Sequence, residues 1–285
     1  MTTRFAQVLI GPAGSGKSTY ISKALKHYET IHRVVHCVNL DPAAENLPYL
    51  PEIDIRDVIN YQDVMTKMKY GPNGALIYCL ERITGKTSKW FNEAIGEHEY
   101  DYLLIDMPGQ IELYSHMQIL PELMSVLQGK NYNILLVYLM DSQFMSDPAK
   151  FLSASLVALS TMTMLELPHI NVMSKCDLLT EEQKKNIDIY TEMECMALAD
   201  EIKPGSNSKL EKLTNSICEV IDFFRLVQWR TLDSTNETEL INLLAEIDTI
   251  IQYYDSADYG NEEFNEVGDE EFNFDEKQFF KENNV

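Results

Sequence analysis

The stretch that decides the fold is residues 6–19, which read Ala6-Gln7-Val8-Leu9-Ile10-Gly11-Pro12-Ala13-Gly14-Ser15-Gly16-Lys17-Ser18-Thr19. A short apolar run typical of a buried strand leads through a glycine-rich turn into a segment of helical periodicity. The turn fits the pattern G-x-x-x-x-G-K-[ST]. This pattern predicts a loop whose backbone N–H groups surround phosphates, with the amino end of the following helix adding its partial positive charge. A plain glycine turn is the other interpretation, and the register of strand, loop and helix disfavours it.

The residues of this loop have distinct expected parts. Lys17 is expected to reach the β- and γ-phosphates, Ser18 to give its hydroxyl to Mg²⁺, and Thr19 to bond the α-phosphate. Pro12 stands where a large class of P-loop ATPases carries a second lysine that crosses a dimer interface. Charge stabilisation in trans must therefore come from another residue. The whole loop is the predicted nucleotide-binding segment: Gly11, Pro12, Ala13, Gly14, Ser15, Gly16, Lys17, Ser18 and Thr19.

Apolar runs alternate with helix-period segments along the rest of the chain. The runs predict buried strands at 6–10, 34–40, 102–105, 134–140 and 169–173, and a weaker one at 223–229. The intervening segments predict helices at 17–28, 117–128, 148–165, 181–199, 209–221 and 237–254. Such alternation predicts an α/β protein: a mostly parallel sheet with helices on both faces, and a ligand at the carboxyl ends of the strands.

Composition limits the possible partners. The 285 residues carry a net charge of −22, which repels phosphodiester backbones, so direct nucleic-acid binding is not expected. The five cysteines form no C-x-x-C pair, and we expect them to be reduced core thiols of a cytosolic protein. Neither a signal peptide nor a run of 18 apolar residues occurs, so no membrane segment is expected.

The composition changes near residue 255, which divides the chain into two parts. Residues 1–254 are taken as one nucleotide-binding domain, and residues 255–285 as an acidic tail containing aromatic residues. The tail has 11 acidic and 2 basic residues, a net charge of −9, interspersed with phenylalanines. It is either a solvated tail or a docking segment in which aromatics anchor and acids steer.

A second motif, D-M-P-G-Q-I-E at 106–112, follows the strand predicted at 102–105. Asp106 is placed to hold Mg²⁺, and the N–H of Gly109 to contact the γ-phosphate. Gln110 could orient the attacking water, with Glu112 close enough to assist. The alternative interpretations are a helix cap for Asp106 and an ordinary polar turn for Gln110 and Glu112.

A third motif, N-L-D-P-A-A-E at 39–45, follows the second strand. Asp41 emerges on the phosphate side of the sheet. A carboxylate facing the metal and the γ-phosphate can accept a hydrogen bond from the water nucleophile, which makes Asp41 a candidate catalytic residue. An Asp-Pro that simply starts a turn is the alternative.

The fourth motif, S-K-C-D at 174–177, ends another strand and resembles the N-K-x-D element of GTPases. The Asp177 carboxylate can accept hydrogen bonds from guanine N1–H and the 2-amino group, which adenine does not offer in that arrangement. Lys175 can lay its stem along the base. Ser174 replaces an asparagine, which weakens a loop-bracing contact. Backbone contacts to the base edge are expected from Thr231 and Leu232, near the last strand.

The tripeptide Gly71-Pro72-Asn73 lies between the second strand and Asp106. With the four motifs above, it makes residues 4–254 resemble the GPN-loop GTPase family, and the third group of its eukaryotic paralogues in particular. The resemblance implies a P-loop GTPase that uses GTP/GDP and Mg²⁺. It also implies a homodimer, or a heterodimer with the GPN-loop GTPase 1 paralogue, in which Asn73 reaches the partner's γ-phosphate from a stiff turn.

The same resemblance implies roles in the assembly and nuclear import of RNA polymerase II, through contacts with its subunits, by a cytoplasmic protein that shuttles to the nucleus. Because an asparagine supplies a neutral amide rather than a full charge, slow hydrolysis typical of a switch is expected. Two alternatives stay open. One is a P-loop nucleotide or small-molecule kinase, for which Arg56 and Arg82 are the only lid candidates in the middle region; the other is a nucleotide-binding scaffold with negligible turnover.

Overall fold

The computed structural model describes residues 4–84, 90–96, 101–115, 117–202, 208–224 and 226–256. Seven strands form one sheet in the order β3-β2-β4-β1-β5-β6-β7, and every neighbouring pair is parallel. The strands are β1 Arg4–Ile10, β2 His36–Asn39, β3 Ile53–Asp54, β4 Tyr102–Asp106, β5 Tyr132–Asp141, β6 His169–Ser174 and β7 Trp229–Leu232. The predicted α/β class with a parallel sheet is confirmed.

Helices join the strands and cover both faces of the sheet. In the described residues they are α1 Lys17–Thr30, α2 Tyr61–Met68, α3 Pro72–Thr84, α4 Trp90–Gly96, α5 Glu112–Ser115, α6 Ile119–Gly129, α7 Pro148–Leu165, α8 Glu181–Lys185, α9 Ile187–Thr191, α10 Cys195–Glu201, α11 Ser208–Phe224, α12 Glu237–Ile250 and α13 Tyr253–Ser256. The predicted helix at 148–165 has the bounds of α7.

The strand predicted at 223–229 was wrong. Helix α11 continues to Phe224, and β7 begins only at Trp229. Phe223 is 81% exposed at the end of α11, whereas Val227 and Trp229 are buried, so the apolar run combines the exposed end of a helix with the approach to β7. Periodicity alone does not separate a short buried strand from such a helix end.

Other predicted elements differ in extent. The single helix expected at 181–199 is three short helices, α8 to α10, with Met193 in the left-handed region at φ 57 before the last of them. The helix expected to reach residue 254 ends at Ile250, and Gln252 at φ 59 separates it from α13. Strand β3 and helices α2 to α5 were not predicted, because β3 has only two residues and these helices are short or follow irregular loops.

Two apolar layers hold the helices onto the sheet, and β1 contributes to both because its side chains alternate. Leu9 packs with α1 and α12, and Val8 packs on the opposite face with the helices that include α3, α6 and α7. Strand β1 is therefore buried on both faces, as parallel strands usually are. This burial places the loops at the carboxyl ends of β1, β2, β4 and β6 in fixed positions on one edge.

Helix α7 is the one helix in the described ranges that is long and apolar enough to cross a bilayer, with a mean hydropathy of 1.2. Core helices of soluble proteins pass the same test, and Phe151, Leu152 and Leu159 of α7 are buried in the core. The acidic tail predicted at 255–285 lies outside the described residues, apart from the two residues that end α13.

Candidate functional site

The phosphate-binding loop connects β1 to α1, and its backbone needs glycine where it leaves the strand. Gly11 has φ 135, and a Cβ at this position would lie 2.1 Å from the carbonyl oxygen of Leu139 on β5. A side chain would therefore clash with the neighbouring strand as well as strain the backbone. The close approach is what lets the chain turn directly from β1 into the loop.

Lys17, the first residue of α1, folds back over this loop. Its Nζ donates to the carbonyl oxygens of Gly11, at 3.0 Å, and Pro12, at 3.1 Å. The side chain is buried, and burial lowers the pKa of the ammonium, while the carboxylates of Asp106 and Asp41 act in the opposite direction. These contacts place a cation in the centre of the loop, where the sequence predicted contact with phosphates.

Ser18 and Asp106 meet at the end of β4. The Ser18 hydroxyl donates to Oδ2 of Asp106 at 2.7 Å, and the hydroxyl of Tyr49 donates to the same oxygen at 2.9 Å. Asp106 is 2% exposed, and burial raises the pKa of its carboxyl above the usual range. Tyr49 was missed by the sequence analysis, because it lies in an irregular loop with no motif around it.

The donor set around Asp106 fits Mg²⁺. A hydroxyl and a carboxylate are hard oxygen ligands, and Mg²⁺ in nucleotide sites takes its remaining ligands from phosphates and water. No group of three or more His, Cys, Asp or Glu side chains suited to a metal occurs among the described residues.

The loop after β4 touches the phosphate loop. A Cβ at Gly109 would lie 2.6 Å from the backbone nitrogen of Ala13, so the two loops meet at a position where only glycine fits. Gln110 is half-buried, and Glu112 is exposed at the first turn of α5. The roles assigned to Gln110 and Glu112 stay predictions.

Asp41 follows β2 on the same edge of the sheet. Its Oδ1 accepts from the N–H of Ala43 at 2.9 Å, which closes a turn, and its own N–H donates to Oδ1 of Asn39 at 3.1 Å. Burial raises the pKa of Asp41, and the positive charges of Lys17 and Arg56 partly offset that effect. The charges of Asp41 and Lys17 therefore favour each other, which is compatible with the role expected of this carboxylate.

A cavity of about 190 Å³ lies beside the loop, at the ends of β6 and β7. Its lining residues are Gly16, Thr19, Tyr20, Lys23, Leu139, Ser174, Lys175, Asp177, Leu178, Leu232, Ser234 and Leu240. Oδ1 of Asp177 is shielded from solvent and has no hydrogen-bond partner within the described part of the chain. A buried acceptor without a partner costs free energy, so this oxygen is suited to a donor supplied by a ligand.

Neighbouring side chains brace the base side. The Ser174 hydroxyl donates to the carbonyl oxygen of Ser15 at 2.7 Å. A contact between this position and the phosphate loop is therefore present, although the replacement of asparagine by serine was expected to weaken it. Lys175 forms an ion pair with Asp141 at 2.7 Å. Of the two residues predicted near the base edge, Leu232 lines the cavity, whereas Thr231 pairs with Met173 in the sheet and is not among the lining residues.

Gly71-Pro72-Asn73 forms the start of a helix rather than the stiff turn that the sequence suggested. Pro72 is the first residue of α3, a position that suits a residue lacking an N–H group, and the N–H of Ala75 donates to the carbonyl oxygen of Gly71. The hydroxyl of Tyr61 donates to the carbonyl oxygen of Pro72 at 3.1 Å. Asn73 is exposed in the first turn.

Comparison with known proteins agrees with this geometry. A family model described as a conserved hypothetical ATP-binding protein matches residues 9–253. The chain is 42% identical over 258 residues to GPN-loop GTPase 3 of Candida glabrata, covering 90% of this chain and 95% of that protein. It is 41% identical over 281 residues to GPN-loop GTPase 3 of Danio rerio, covering 98% of both.

One solved structure is also similar over most of its length. A GTPase from Pyrococcus abyssi, in its apo form, superposes with a TM-score of 0.72 at 28% identity, covering 88% of this chain and 97% of that chain.

Proposed function

This chain belongs to the GPN-loop GTPase family and is a GTPase, and on that premise we propose that it is a slow, Mg²⁺-dependent switch working as a dimer in the assembly and nuclear import of RNA polymerase II. The observation that carries the guanine-nucleotide part is the buried, unpartnered Oδ1 of Asp177 in the base cavity. This oxygen is a hydrogen-bond acceptor, and guanine presents two hydrogen-bond donors, N1–H and the 2-amino group, on the edge that would face it.

In this proposal each residue of the site has a defined task. Lys17 neutralises the β- and γ-phosphates, Ser18 and Asp106 hold Mg²⁺, and the metal supplies charge stabilisation of the phosphates when bound. Asp41 accepts a hydrogen bond from the attacking water, and Gln110 orients that water. Glu112 assists from the first turn of α5.

The dimer in this proposal is supported by the exposure of Asn73. The side chain is exposed at the amino end of α3, so it is available to a second subunit. Pro12 supplies no charge where some P-loop ATPases use a lysine in trans. An amide donor from the partner's Asn73 would stabilise charge on the transferring phosphoryl group less strongly than an arginine does, and slow turnover follows.

The cellular part of the proposal rests on resemblance to the family. The dimer partner would be the GPN-loop GTPase 1 paralogue or a second copy, and the clients would be RNA polymerase II subunits. The protein would act in the cytoplasm and shuttle to the nucleus. Depletion should leave RNA polymerase II subunits in the cytoplasm, and re-expression of wild type, but not of an Asp177→Ala variant, should restore their nuclear location.

The enzymatic proposal is tested by two measurements on the full chain. Titration with mant-GTP and mant-ATP should show selective binding of the guanine nucleotide, and equal affinities would favour the kinase alternative. Single-turnover hydrolysis of GTP should then depend on protein concentration near the dimer dissociation constant. Binding without detectable hydrolysis at any concentration, alone or with the paralogue, would favour the scaffold.

A further inference from the structure

We propose that Asn39, Asp54 and Arg56 form a clamp that positions Asp41 for hydrolysis. The three residues do not belong to the predicted nucleotide-contacting set, so they are positioning residues rather than catalytic ones. The inference rests on the proposed role of Asp41. These residues would fix the position of the Asp41 carboxylate.

The base of the clamp is a carboxylate–guanidinium pair at the short strand β3. Arg56 donates from Nε to both carboxylate oxygens of Asp54 at 3.0 Å, and from Nη2 to Oδ2 at 2.6 Å. The backbone N–H of Arg56 donates to Oδ1 at 2.9 Å. The pair is thus held in one orientation by both side-chain and main-chain contacts.

Asn39 transmits that orientation to Asp41. Its Nδ2 donates to Oδ1 of Asp54 at 2.9 Å, and its Oδ1 accepts from the N–H of Asp41 at 3.1 Å. The side chain is fully buried. If the amide turned over, its oxygen would face a carboxylate and its NH₂ would face an N–H group, so only one orientation satisfies both neighbours.

The guanidinium also holds the far end of the same turn. Nη1 of Arg56 donates to the carbonyl oxygen of Ala44 at 3.0 Å, and the N–H of Ala44 donates to the carbonyl oxygen of Asp41 at 3.3 Å. The turn at 41–44 is therefore held at its start by Asn39 and at its end by Arg56, and both of these side chains contact Asp54. Its side-chain carboxylate is left with the direction that the turn imposes.

Fold stability alone is a weak reason for this arrangement. An ion pair whose arginine side chain is 33% exposed usually adds little to stability, and β3 is a two-residue edge strand. What an apolar replacement cannot supply is a fixed hydrogen-bond direction. Small displacements of a reacting group slow catalysis strongly, so a clamp on Asp41 has a kinetic purpose.

The test replaces the planar guanidinium of Arg56 by the ammonium group of a lysine. Arg56→Lys keeps the positive charge and loses the bidentate contact and the Ala44 bond together. We expect the single-turnover rate at saturating GTP to fall roughly 10- to 100-fold, with GTP and GDP dissociation constants changed less than about twofold. The matched control is Arg230→Lys, which breaks a similar pair with Glu246 on β7 and α12 and should leave the rate unchanged.

The same substitution in an Asp41→Asn background separates the clamp from the proposed role of Asp41. If Asp41 acts and the clamp positions it, Arg56→Lys slows the wild type but adds less than a twofold further loss to Asp41→Asn. A silent Asp41→Asn would overturn the role of Asp41. A slow Asp41→Asn with a fully active Arg56→Lys would overturn the clamp alone.

Two further results guard against a simple loss of folding. Arg56→Ala should regain part of its hydrolysis rate when guanidinium ion is added at non-denaturing, millimolar concentration, which a misfolded chain would not do. Equal losses of rate and of nucleotide affinity in Arg56→Lys, without rescue of Arg56→Ala, would show that the ion pair serves only the fold.

Discussion

The base side and the hydrolysis side of the site are built differently. On the base side the polar groups contact each other within the chain: Ser174 bonds Ser15, and Lys175 pairs with Asp141. On the hydrolysis side Asn73 and Glu112 are exposed, and Gln110 is half-buried. Groups that are already ordered bind a ligand without a further entropic cost, whereas exposed groups must be ordered later.

In the proposed dimer, nucleotide recognition and nucleotide turnover are completed by different chains. The base cavity and the phosphate loop are formed by β1, β6, β7 and α1 of one subunit. The residues expected to act on the γ-phosphate stand at helix starts and in loops. We therefore expect the site to bind nucleotide by itself and to hydrolyse it only when closure or a partner orders the second half.

The largest effect is expected on the base side. Asp177→Asn reverses one acceptor into a donor, so affinity for GTP should fall about 100- to 10,000-fold, since two hydrogen bonds to a charged acceptor are worth about 1.5–3 kcal/mol each. Affinity for xanthine nucleotides should rise. Competition of mant-GTP by GTP and XTP measures both, and Asp188→Asn on α9 is the control. Unchanged GTP affinity would mean that the base does not lie in this cavity.

On the hydrolysis side, Asn73→Ala should slow GTP hydrolysis roughly 10- to 1000-fold, the range for losing one preorganised donor, with GDP affinity nearly unchanged. A mixed dimer should be defective in the subunit that faces the mutant loop. The control is Asn186→Ala, an exposed asparagine that makes no side-chain cap bond to its helix. A silent Asn73→Ala, with hydrolysis independent of protein concentration, would make the tripeptide a structural feature only.

The proposed metal site lies between the base side and the hydrolysis side, and substitution there is expected to have a smaller effect on GTP binding. Ser18→Ala removes a proposed Mg²⁺ ligand, so GTP binding should weaken about 10- to 100-fold in the presence of Mg²⁺ and much less in EDTA. Ser22→Ala, one turn further along α1, removes only a bond to the carbonyl oxygen of Pro48 and serves as the control. Equal weakening with and without Mg²⁺ would argue against a metal at Ser18 and Asp106.

The smallest effect concerns the strand that supports the base side. His169 begins β6, stacks on Tyr138, and has both ring nitrogens shielded, and burial lowers its pKa to about 4. The unfolded chain takes up a proton below about pH 6.5, whereas the folded chain does so only near pH 4, so stability is present above pH 6.5 and is lost as the pH falls.

We expect a loss of about 3 kcal/mol between these pH values in wild type. His169→Phe keeps a ring against Tyr138 without titrating, so its urea-unfolding midpoint should fall less over the same pH range. His32→Gln, at an exposed position, is the control. An identical pH dependence in wild type and His169→Phe would place the acid sensitivity elsewhere.

Much of the phosphate loop and the sheet was predictable because the relevant signals are local. Gly11 to Thr19 form a contiguous motif, and β1, β4, β5 and β6 are apolar runs bounded by turn residues. The failures have equally specific causes. The end of α11 has the composition of a strand, and β3 is too short to produce a periodic pattern.

The helical setting of Asn73 was missed for a different reason. Gly-Pro-Asn reads as a turn when taken alone, and only the packing of the following residues, such as Ala75 and Leu80, shows that Pro72 starts a buried helix. Motif analysis also gave no reason to select Tyr49, and it did not connect Asn39, Asp54 and Arg56 to one another. Their contacts join residues that are far apart in the chain or differ in strand, and spacing does not encode such contacts.

The motifs were enough to predict which residues serve the phosphates and the base, because they are contiguous and each follows a strand whose end must lie on one edge of a parallel sheet. Only the folded structure shows which polar groups are held by hydrogen bonds within the described residues and which are exposed or without such a partner. Burial and hydrogen-bond partners depend on chain segments brought together by packing. Thus Ser174 bracing Ser15, the unpartnered Oδ1 of Asp177 and the exposure of Asn73 follow from the fold rather than from any local pattern.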